Sequence, residues 1–290
     1  MTTLAVDIGG TNLRAGLVRG DAIEPTPLGR WPAPAAMDDF REHVAALLAE
    51  HAATELGVCI PGLSRGTVCA WVPNLPFLDG VDLATLFPGV RVALGNDAQF
   101  ALLAEAAGGA GRKTRNAILL AIGTGIGSAV LADGRILRGE GGAASSFGWA
   151  CADPSDPGDD SHGWLERVAS GTALDRIAAS RRLADGPELV ALARGGDEAA
   201  RVALEPPMNA LGTAIAGAVA LTGSPLVIFS GGVAESLDVL GPLMLPALTR
   251  QLPPHLRGVR LAVGEFGARA ALVGAGLAAR GHPVWMEERS

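Results

Sequence analysis

The stretch Leu4-Ala-Val-Asp-Ile-Gly-Gly-Thr-Asn-Leu-Arg-Ala-Gly-Leu-Val18 decides how the rest of this 290-residue sequence is interpreted. Two apolar runs flank a Gly-Gly-Thr turn, a pattern that predicts a β-hairpin. Glycine has no Cβ, so the N–H groups of Gly9 and Gly10 can approach an anion closely. The Thr11 hydroxyl and the Arg14 guanidinium add further donors. The hairpin is therefore interpreted as a phosphate-binding corner rather than as an ordinary glycine turn.

A second stretch, Ala117-Ile-Leu-Leu-Ala-Ile-Gly-Thr-Gly-Ile-Gly-Ser-Ala-Val-Leu131, repeats this pattern. When the two stretches are aligned, Gly123 falls on Gly9, which predicts a duplicated structural unit. The alternative is a chance match between two hairpins that contain glycine. Asp7 falls on Ala121, so only the first copy brings a carboxylate to the turn. That carboxylate could hold Mg²⁺ directly or through water.

Strands that alternate with helices, and that end in glycine, predict an α/β protein. A polar patch near residues 108–115 predicts the boundary between two domains, 1–114 and 115–267. A closing helix over about 268–286 could pack back on the first domain. One long apolar helix is expected to be interrupted at Pro206-Pro207, because proline lacks the N–H donor and clashes with the previous turn.

Composition excludes several classes of protein. Hydrophobic residues make up 49% of the chain and charged residues 18%, with a formal net charge of -7, which is typical of a folded protein. No basic surface is expected for nucleic acid or for an anionic membrane. No apolar run approaches the ~20 residues that span a bilayer, and the sequence shows no secretory signal pattern. We therefore expect a cytoplasmic protein.

The three cysteines predict thiols rather than a metal site. Cys59, Cys69 and Cys151 are far apart and have none of the paired spacings that bind zinc. Buried or free thiols are expected at all three positions.

Six motifs follow one another along the chain: Asp7-x-Gly-Gly-Thr-x-x-Arg14, Pro73-Asn-Leu75, Asn96-Asp97-Ala98, Gly123-Thr-Gly-Ile-Gly127, Ser230-Gly-Gly-Val233 and Gly267-x-x-Ala-Ala271. In this order and spacing the sequence resembles the ROK family of sugar kinases and repressors over nearly its whole length. The resemblance implies two ribonuclease H-like domains of the actin and hexokinase type, with ATP and a sugar in an interdomain cleft. The DNA-binding segment of the repressors is not expected before a hairpin that begins at Leu4.

The resemblance also implies roles for individual residues. The first phosphate loop, with Mg²⁺, would consist of Asp7, Gly9, Gly10, Thr11 and Arg14. The second phosphate loop would consist of Gly123, Thr124 and Gly125. The adenosine would lie against Gly231 and Gly232.

Asp97 is the candidate general base. Phosphoryl transfer to a hydroxyl requires a group that accepts the proton, and a carboxylate can do so while Asn96 holds a neighbouring hydroxyl. On the residues alone, an equal alternative is that Asp97 caps the helix that follows it. The family resemblance favours the base.

The sequence departs from the family pattern where the sugar would bind. Members of the family carry Glu-x-Gly-His after the second phosphate loop, whereas Ser146 and Trp149 occupy those two positions here. The zinc-binding cysteine cluster is also missing, although Glu166 is retained. We therefore expect no zinc, and a loop held by packing, with Trp149 and Trp164 as the side chains that fill it.

These exchanges bear on the substrate. Replacing a carboxylate and an imidazole by a hydroxyl and an indole removes strong hydrogen bonds to one edge of a sugar. The expected substrate-binding residues are Asn74, Asn96, Asp97, Ser146, Trp149 and Glu166. A modified hexose, a ketose or a cyclitol is as good a candidate as glucose or N-acetylmannosamine.

Two hypotheses follow for function. The leading one is an ATP- and Mg²⁺-dependent kinase for a hydroxyl of a sugar or related polyol. The other is a non-catalytic sensor of sugar or nucleotide with the same fold. Polyphosphate is an alternative donor, although the acidic balance of the chain disfavours a polyanion. A homodimer is the assembly that the family resemblance implies.

Overall fold

The structure, a computed structural model, describes residues 1–285. Its β-strands are β1 (Thr2–Ile8), β2 (Asn12–Arg19), β3 (Thr26–Pro32), β4 (Glu55–Ile60), β5 (Leu63–Arg65), β6 (Val68–Trp71), β7 (Arg91–Asn96), β8 (Ala117–Ile122), β9 (Ile126–Ala132), β10 (Arg135–Ile136), β11 (Leu226–Ser230) and β12 (Arg260–Val263). Its α-helices are α1 (Met37–Glu50), α2 (Leu83–Leu86), α3 (Asp97–Gly108), α4 (Trp164–Ala169), α5 (Gly171–Ser180), α6 (Gly186–Arg194), α7 (Glu198–Thr222), α8 (Leu237–Arg250) and α9 (Ala270–Ala279). The predicted α/β class is confirmed.

The chain forms two compact units. Unit 1 contains Met1–Lys113, Gly134–Ala144 and the described residues from Glu265 onward, and unit 2 contains Thr114–Asp133 and Ser145–Gly264. The predicted boundary near residue 114 stays a prediction; within the range that it assigns to the second domain, residues 134–144 group with unit 1. The composition of such a short segment does not indicate to which unit it belongs.

Unit 1 is built on one sheet with the strand order β3-β2-β1-β4-β7. β1 is antiparallel to β2 and parallel to β4, and β4 is parallel to β7. The central strands are buried along nearly their whole length, which explains their continuous apolar sequences. Because the three parallel strands run the same way, the residues that follow them come to one edge of the sheet.

Helix α9 packs directly on the sheet and on α3. A Cβ at Gly57 would lie 2.0 Å from the Ala275 carbonyl oxygen, and one at Gly274 would lie 1.9 Å from the Phe100 carbonyl oxygen. Backbone therefore meets backbone at both crossings, and only glycine fits. The helix predicted over 268–286 is shorter than expected and ends at Ala279, while Met286 lies outside the described residues.

Unit 2 repeats the topology of unit 1. Its strands β9, β8, β11 and β12 lie in that order, and they correspond to β2, β1, β4 and β7. The β8–β9 hairpin is antiparallel, whereas β11 is parallel to β8 and to β12. The two hairpins turn at residues 9–11 and 123–125, which are aligned in the sequence repeat. The predicted duplication is therefore present in the topology.

Helix α7 corrects one expectation about the helices. The helix runs without a break from Glu198 to Thr222, although Pro206 and Pro207 lie inside it. Leu204 and Met208 are fully buried on either side of the prolines, so the apolar face continues through them. Tertiary packing here outweighs a proline penalty of about 3 kcal/mol. The sequence interpretation also omitted α6, although Asp185 caps it through the Glu188 N–H.

Two glycines in α7 provide a matched test of this packing. A Cβ at Gly212 would lie 2.4 Å from the Met244 carbonyl oxygen of α8, whereas one at Gly217 would have no heavy atom within 4 Å. We expect Gly212→Ala to lower the free energy of unfolding by about 1–3 kcal/mol through overpacking. Gly217→Ala should raise it by about 0.5–1 kcal/mol, because alanine favours the helix. Urea denaturation of both variants measures the difference, and equal effects would contradict the close α7–α8 approach.

Candidate active site

The first glycine turn connects β1 to β2 and is closed by its own backbone. The Gly9 N–H donates to the Asn12 carbonyl oxygen at 2.8 Å, and the Ala33 N–H donates to the Thr11 carbonyl oxygen at 3.0 Å. The Gly9 N–H therefore shapes the turn, which differs from the expectation that it faces an anion. Among the described residues the Gly10 N–H has no acceptor, so Gly10 is the better donor for a ligand.

Asp7 and Arg14 form an ion pair beside this turn. Asp7 is the penultimate residue of β1, with 8% of its surface exposed, and its Oδ2 lies 2.5 Å from Nη2 of Arg14 on the neighbouring strand. Nη1 of Arg14 donates to the Ala268 carbonyl oxygen at 3.1 Å. Arg14 is thus fixed by two partners, and most of its charge is balanced by Asp7.

A polar pocket of about 250 Å³ opens at the turn. Its lining consists of Asp7, Gly9, Thr11, Asn12, Arg14 and Arg30. Four of these residues were predicted from the sequence as parts of a phosphate loop. Asn12 and Arg30 were not, because Arg30 lies on β3 and only the pairing of β2 with β3 brings it to the turn.

Asn74 lies beside the same turn. A Cβ at Gly10 would be 3.2 Å from the Asn74 Cβ, a tight contact that would require the Asn74 side chain to shift. The structure therefore brings together a predicted phosphate-loop glycine and a predicted substrate-binding amide. Their separation along the sequence gives no indication of this contact.

Asn96, and not Asp97, caps helix α3. The Asn96 Oδ1 accepts the Gln99 N–H, three residues on, at 2.7 Å, while the Asp97 Oδ1 accepts the adjacent Ala98 N–H at 2.8 Å. The alternative in which Asp97 is merely a helix cap is therefore wrong. The cap occupies the oxygen of Asn96 and leaves its NH₂ group as the part that can meet a substrate.

The surroundings of Asp97 disfavour its charge. Desolvation by the surrounding protein raises the pKa of the Asp97 carboxyl, the Ala98 N–H opposes this, and the negative charge of Asp7 raises the pKa further. By its accessible surface Asp97 is nevertheless exposed. Protein atoms crowd the carboxylate on several sides, while its remaining side is open to solvent. A substrate hydroxyl can reach a carboxylate so placed.

A buried thiol lies between the two carboxylates. β1 aligns Asp7 with Cys59, and β7 aligns Gly95 with Cys59 from the other side. Burial raises the pKa of the Cys59 thiol, and the negative charges of Asp7 and Asp97 raise it further. All three groups therefore lie at one edge of the sheet. Cys59 and Cys69 are buried free thiols and Cys151 is an exposed one, as expected from the sequence.

The second glycine turn, in unit 2, is held by backbone hydrogen bonds and by the Glu166 carboxylate. The Gly123 N–H donates to the Gly125 carbonyl oxygen at 3.0 Å, and the Gly171 N–H donates to the Gly123 carbonyl oxygen at 2.8 Å. Glu166 Oε2 accepts the Ile126 N–H at 2.9 Å. The Glu166 carboxylate, expected at the sugar, thus has one oxygen tied to the backbone that leaves the turn.

A pocket of about 450 Å³ extends from this turn to the end of β11. Gly123 and Thr124 line one side, and Gly232 lines another, with apolar side chains that include Leu174, Val190 and Leu240. Gly231 has a φ of +79°, and a Cβ there would lie 2.5 Å from the Ile122 carbonyl oxygen. The pocket combines bare backbone with an apolar wall, a combination that suits the flat ring of a nucleotide base.

The loop before α4, for which the sequence interpretation expected packing by Trp149 and Trp164, is only partly packed in that way. Trp149 is 52% exposed, so it does not fill the loop, whereas Trp164 packs against the core of unit 2. Ser146 is exposed. Close backbone packing joins the ends of the loop, because a Cβ at Gly163 would lie 2.4 Å from the Trp149 Cα.

An ion pair anchors the middle of this loop. Arg167 on α4 donates to both Asp156 oxygens, at 2.7 and 3.2 Å, and its Nε donates to the His162 carbonyl oxygen at 3.2 Å. The hydrogen bond from Arg167 lowers the pKa of the Asp156 carboxyl. Within residues 1–285, no group of three or more His, Cys, Asp or Glu side chains could hold a metal ion. A charged clamp therefore holds the loop, in addition to packing.

Comparisons with known proteins agree with this geometry. The model of the ROK family matches residues 3–281. The chain is 31% identical to the N-acetylmannosamine kinase of Escherichia fergusonii, over 98% of this chain and 100% of that protein. It is 28% identical to the glucokinase of Thermotoga maritima, over 94% of this chain and 95% of that protein. The crystal structure of the ROK hexokinase from Thermus thermophilus superposes with a TM-score of 0.80, at 28% identity, over 97% of this chain and 98% of that one.

The charged clamp can be tested by removing one charge. We expect Asp156→Asn to increase amide hydrogen exchange over residues 151–162, because a neutral amide cannot form the bidentate ion pair with Arg167. Asp160→Asn is the matched control, since Asp160 is exposed in the same loop and no contact of its side chain is described. Hydrogen exchange followed by mass spectrometry measures both variants. Equal protection in the two would show that packing alone holds the loop.

Proposed function

The chain belongs to the ROK family, and we propose that it transfers the terminal phosphoryl group of ATP to a hydroxyl of a sugar or related polyol. The observation that carries this proposal is the placement of Asp97 at the same sheet edge as Asp7 and the first glycine turn. A proton acceptor and a phosphate-binding corner within one unit are the minimum that phosphoryl transfer requires. The named kinases among the relatives support the same reaction.

Asp97 would act as the general base. Its carboxylate is accessible, and its Oδ1 accepts the Ala98 N–H. The other oxygen can accept the proton of the attacking hydroxyl. The NH₂ groups of Asn96 and Asn74 would hold neighbouring hydroxyls of the acceptor and so orient the reacting one.

Each of the two glycine turns carries groups that suit the phosphates of the donor. The terminal phosphate would meet the Gly10 N–H, the Thr11 hydroxyl and the Arg14 guanidinium in unit 1. The second turn, with Thr124 and Gly125, would contribute backbone donors. Adenosine would occupy the 450 Å³ pocket of unit 2, against Gly231 and Gly232.

The residues fit Mg²⁺, provided that the phosphates supply most of its ligands. Arg14 occupies one oxygen of Asp7, so Asp7 would hold the ion through its other oxygen or through water. In kinase sites Mg²⁺ is commonly held by one or two carboxylates together with substrate phosphates. When bound, the ion would neutralise charge on the transferred group.

The acceptor would meet side chains that differ from the family pattern. Ser146 and Trp149 present a short hydroxyl and an exposed indole where family members carry a carboxylate and an imidazole. Sites that bond hydroxyls discriminate strongly between substrates when their partners change. A modified hexose, a ketose or a cyclitol therefore belongs in the test beside glucose and N-acetylmannosamine. If Glu166 contacts the acceptor, it does so through the oxygen that is not bonded to Ile126.

The sensor of sugar or nucleotide is the less favoured alternative. A sensor has no need of a base, yet Asp97 is accessible and caps nothing. Polyphosphate is retained as a second donor in the test below. A cytoplasmic location and a homodimer stay predictions, and within residues 1–285 no helix is long and apolar enough to cross a membrane.

The proposed activity predicts sugar-dependent release of ADP. With ATP and Mg²⁺, we expect at least one compound in a panel of hexoses, N-acetylhexosamines, ketoses and cyclitols to stimulate release far above the rate without acceptor. A coupled ADP assay measures the rates, and mass spectrometry of the product identifies the phosphorylated acceptor. Replacing ATP with polyphosphate in the same panel tests the second donor. ATP binding without release across the panel would favour the sensor.

Removing the base should separate activity from stability. We expect Asp97→Asn to lower kcat by about 10²–10⁴-fold, the usual contribution of a general base. The folded protein holds the Asp97 proton more tightly than the unfolded chain does, so ionisation of Asp97 costs stability at pH values above the raised pKa. The amide removes that cost and keeps the oxygen that accepts the Ala98 N–H. The Tm at pH 7 should therefore equal or exceed that of the wild type.

The control for this variant is Asp21→Asn, at an exposed position of unit 1 for which no side-chain contact is described. It should change neither kcat nor Tm. Normal turnover of Asp97→Asn would refute the role of Asp97. A large fall in Tm would instead mean that the carboxylate is structural.

A further inference from the structure

Arg30 faces the first glycine turn from a strand that the sequence motif does not include. The antiparallel pairing of β2 with β3 places Arg30 directly opposite Arg14. Residues directly opposite each other on antiparallel strands project from the same face of the sheet. Both guanidinium groups accordingly line the 250 Å³ pocket together with Asp7 and Thr11.

A chain of hydrogen bonds connects Arg30 to the Thr11 hydroxyl. Arg30 Nε donates to Asn12 Oδ1 at 3.0 Å, and Asn12 Nδ2 donates to Thr11 Oγ1 at 2.8 Å. Arginine carries only donors, so Asn12 must turn its oxygen toward Arg30 and its NH₂ group toward Thr11. The orientation of the amide is therefore fixed by chemistry.

This orientation leaves the Thr11 hydroxyl as a donor. A hydroxyl has one hydrogen, and because Thr11 Oγ1 accepts the hydrogen bond from Asn12, its own hydrogen points elsewhere. In the pocket that hydrogen can meet an anionic oxygen. Without Asn12 the hydroxyl would be free to rotate, and its donor would have no preferred direction.

Arg30 also carries charge that the protein does not neutralise. Arg14 is paired with Asp7, whereas among residues 1–285 no carboxylate lies within ion-pair distance of Arg30, whose hydrogen-bond partner is the neutral Asn12 amide. The formal charges of the three ionisable groups that line the pocket, Asp7, Arg14 and Arg30, leave it positive. The positive charge of this pocket contrasts with the formal net charge of -7 of the whole chain.

We propose that Arg30 and Asn12 are positioning residues of the donor site, which aim the Thr11 hydroxyl at the terminal phosphates of the donor while Arg30 supplies unbalanced positive charge. The terminal end is indicated because the pocket lies in the same unit and at the same sheet edge as Asp97. The identity of the donor rests on the proposed function, whereas the affinity for phosphate anions does not.

The test compares ligands that differ only in their phosphates. Isothermal titration calorimetry in EDTA, so that no metal contributes, measures the affinities of ATP, AMP and tripolyphosphate for the full-length protein. We expect Arg30→Ala to weaken ATP and tripolyphosphate about tenfold, the equivalent of one charge-assisted hydrogen bond. AMP has no terminal phosphates, so its affinity should change less than twofold. Arg30→Lys, which keeps the charge, should recover part of the loss.

Asn12→Asp tests the hydrogen-bond chain itself. Aspartate still accepts from Arg30 but cannot donate to Thr11, and it also neutralises the Arg30 charge, so it should weaken ATP and tripolyphosphate at least as much as Arg30→Ala. Arg41→Ala is the control, because Arg41 is an exposed arginine of unit 1 that pairs with Asp38 on α1. It should leave all three affinities unchanged.

Several outcomes would overturn the proposal. Unchanged ATP and tripolyphosphate affinities in Arg30→Ala and Asn12→Asp would do so. An equal loss of AMP affinity would also do so, because it would indicate general disruption of the fold. The proposed kinase activity is tested separately: if no acceptor is phosphorylated but Arg30→Ala still weakens ATP selectively, the positioning role stands and the enzymatic one fails.

Discussion

The parallel pairing of β1, β4 and β7 is the constraint on which the rest of unit 1 depends. It aligns Asp7 with Cys59 and Cys59 with Gly95, so that Asp97, two residues further on, lies at the edge that carries the first glycine turn. No loop has to bring these groups together. Helix α9 packs on the same sheet with backbone contact at Gly57, where a Cβ would collide with the Ala275 carbonyl group. The strand register thus places the two carboxylates at one edge, and α9 covers the sheet that carries them.

Much of this arrangement could be predicted because it depends on local chemistry. Apolar runs that end in glycine predict buried strands, and the repeat of the hairpin predicts the shared topology of the two units. Other features depend on partners far along the chain and left no local pattern. The Gly9 N–H is consumed within its own turn, and Asn96 rather than Asp97 caps α3, because helix geometry selects between neighbours that are chemically alike. Arg30 enters the pocket only through the register of β2 with β3.

The loop before α4, for which the sequence interpretation expected no zinc, is held by an ion pair as well as by packing. Arg167 forms a bidentate ion pair with Asp156 and also donates to the His162 carbonyl oxygen. One side chain of α4 thus contacts the loop at two points. Exposed ion pairs contribute little by themselves, but this guanidinium keeps only 29% of its side-chain surface exposed and Asp156 only 13%. The sequence interpretation proposed tryptophan packing, and an exposed Trp149 shows why aromatic residues in a loop are a weak indication of a core.

Asp97 is where the requirements of the fold and of the chemistry diverge. Desolvation and the charge of Asp7 both disfavour its ionised form, and the helix that it begins is already capped by Asn96. An asparagine at this position would keep the Ala98 hydrogen bond and avoid the electrostatic cost. The fold therefore has no use for a carboxylate here, whereas the proposed proton transfer does, since a base whose pKa is raised toward the working pH accepts a proton more readily. A group that costs stability and supports no element is typical of a reactive position. The presence of Asp97 therefore favours the enzyme hypothesis. A sensor with the same fold would not need a carboxylate at this position.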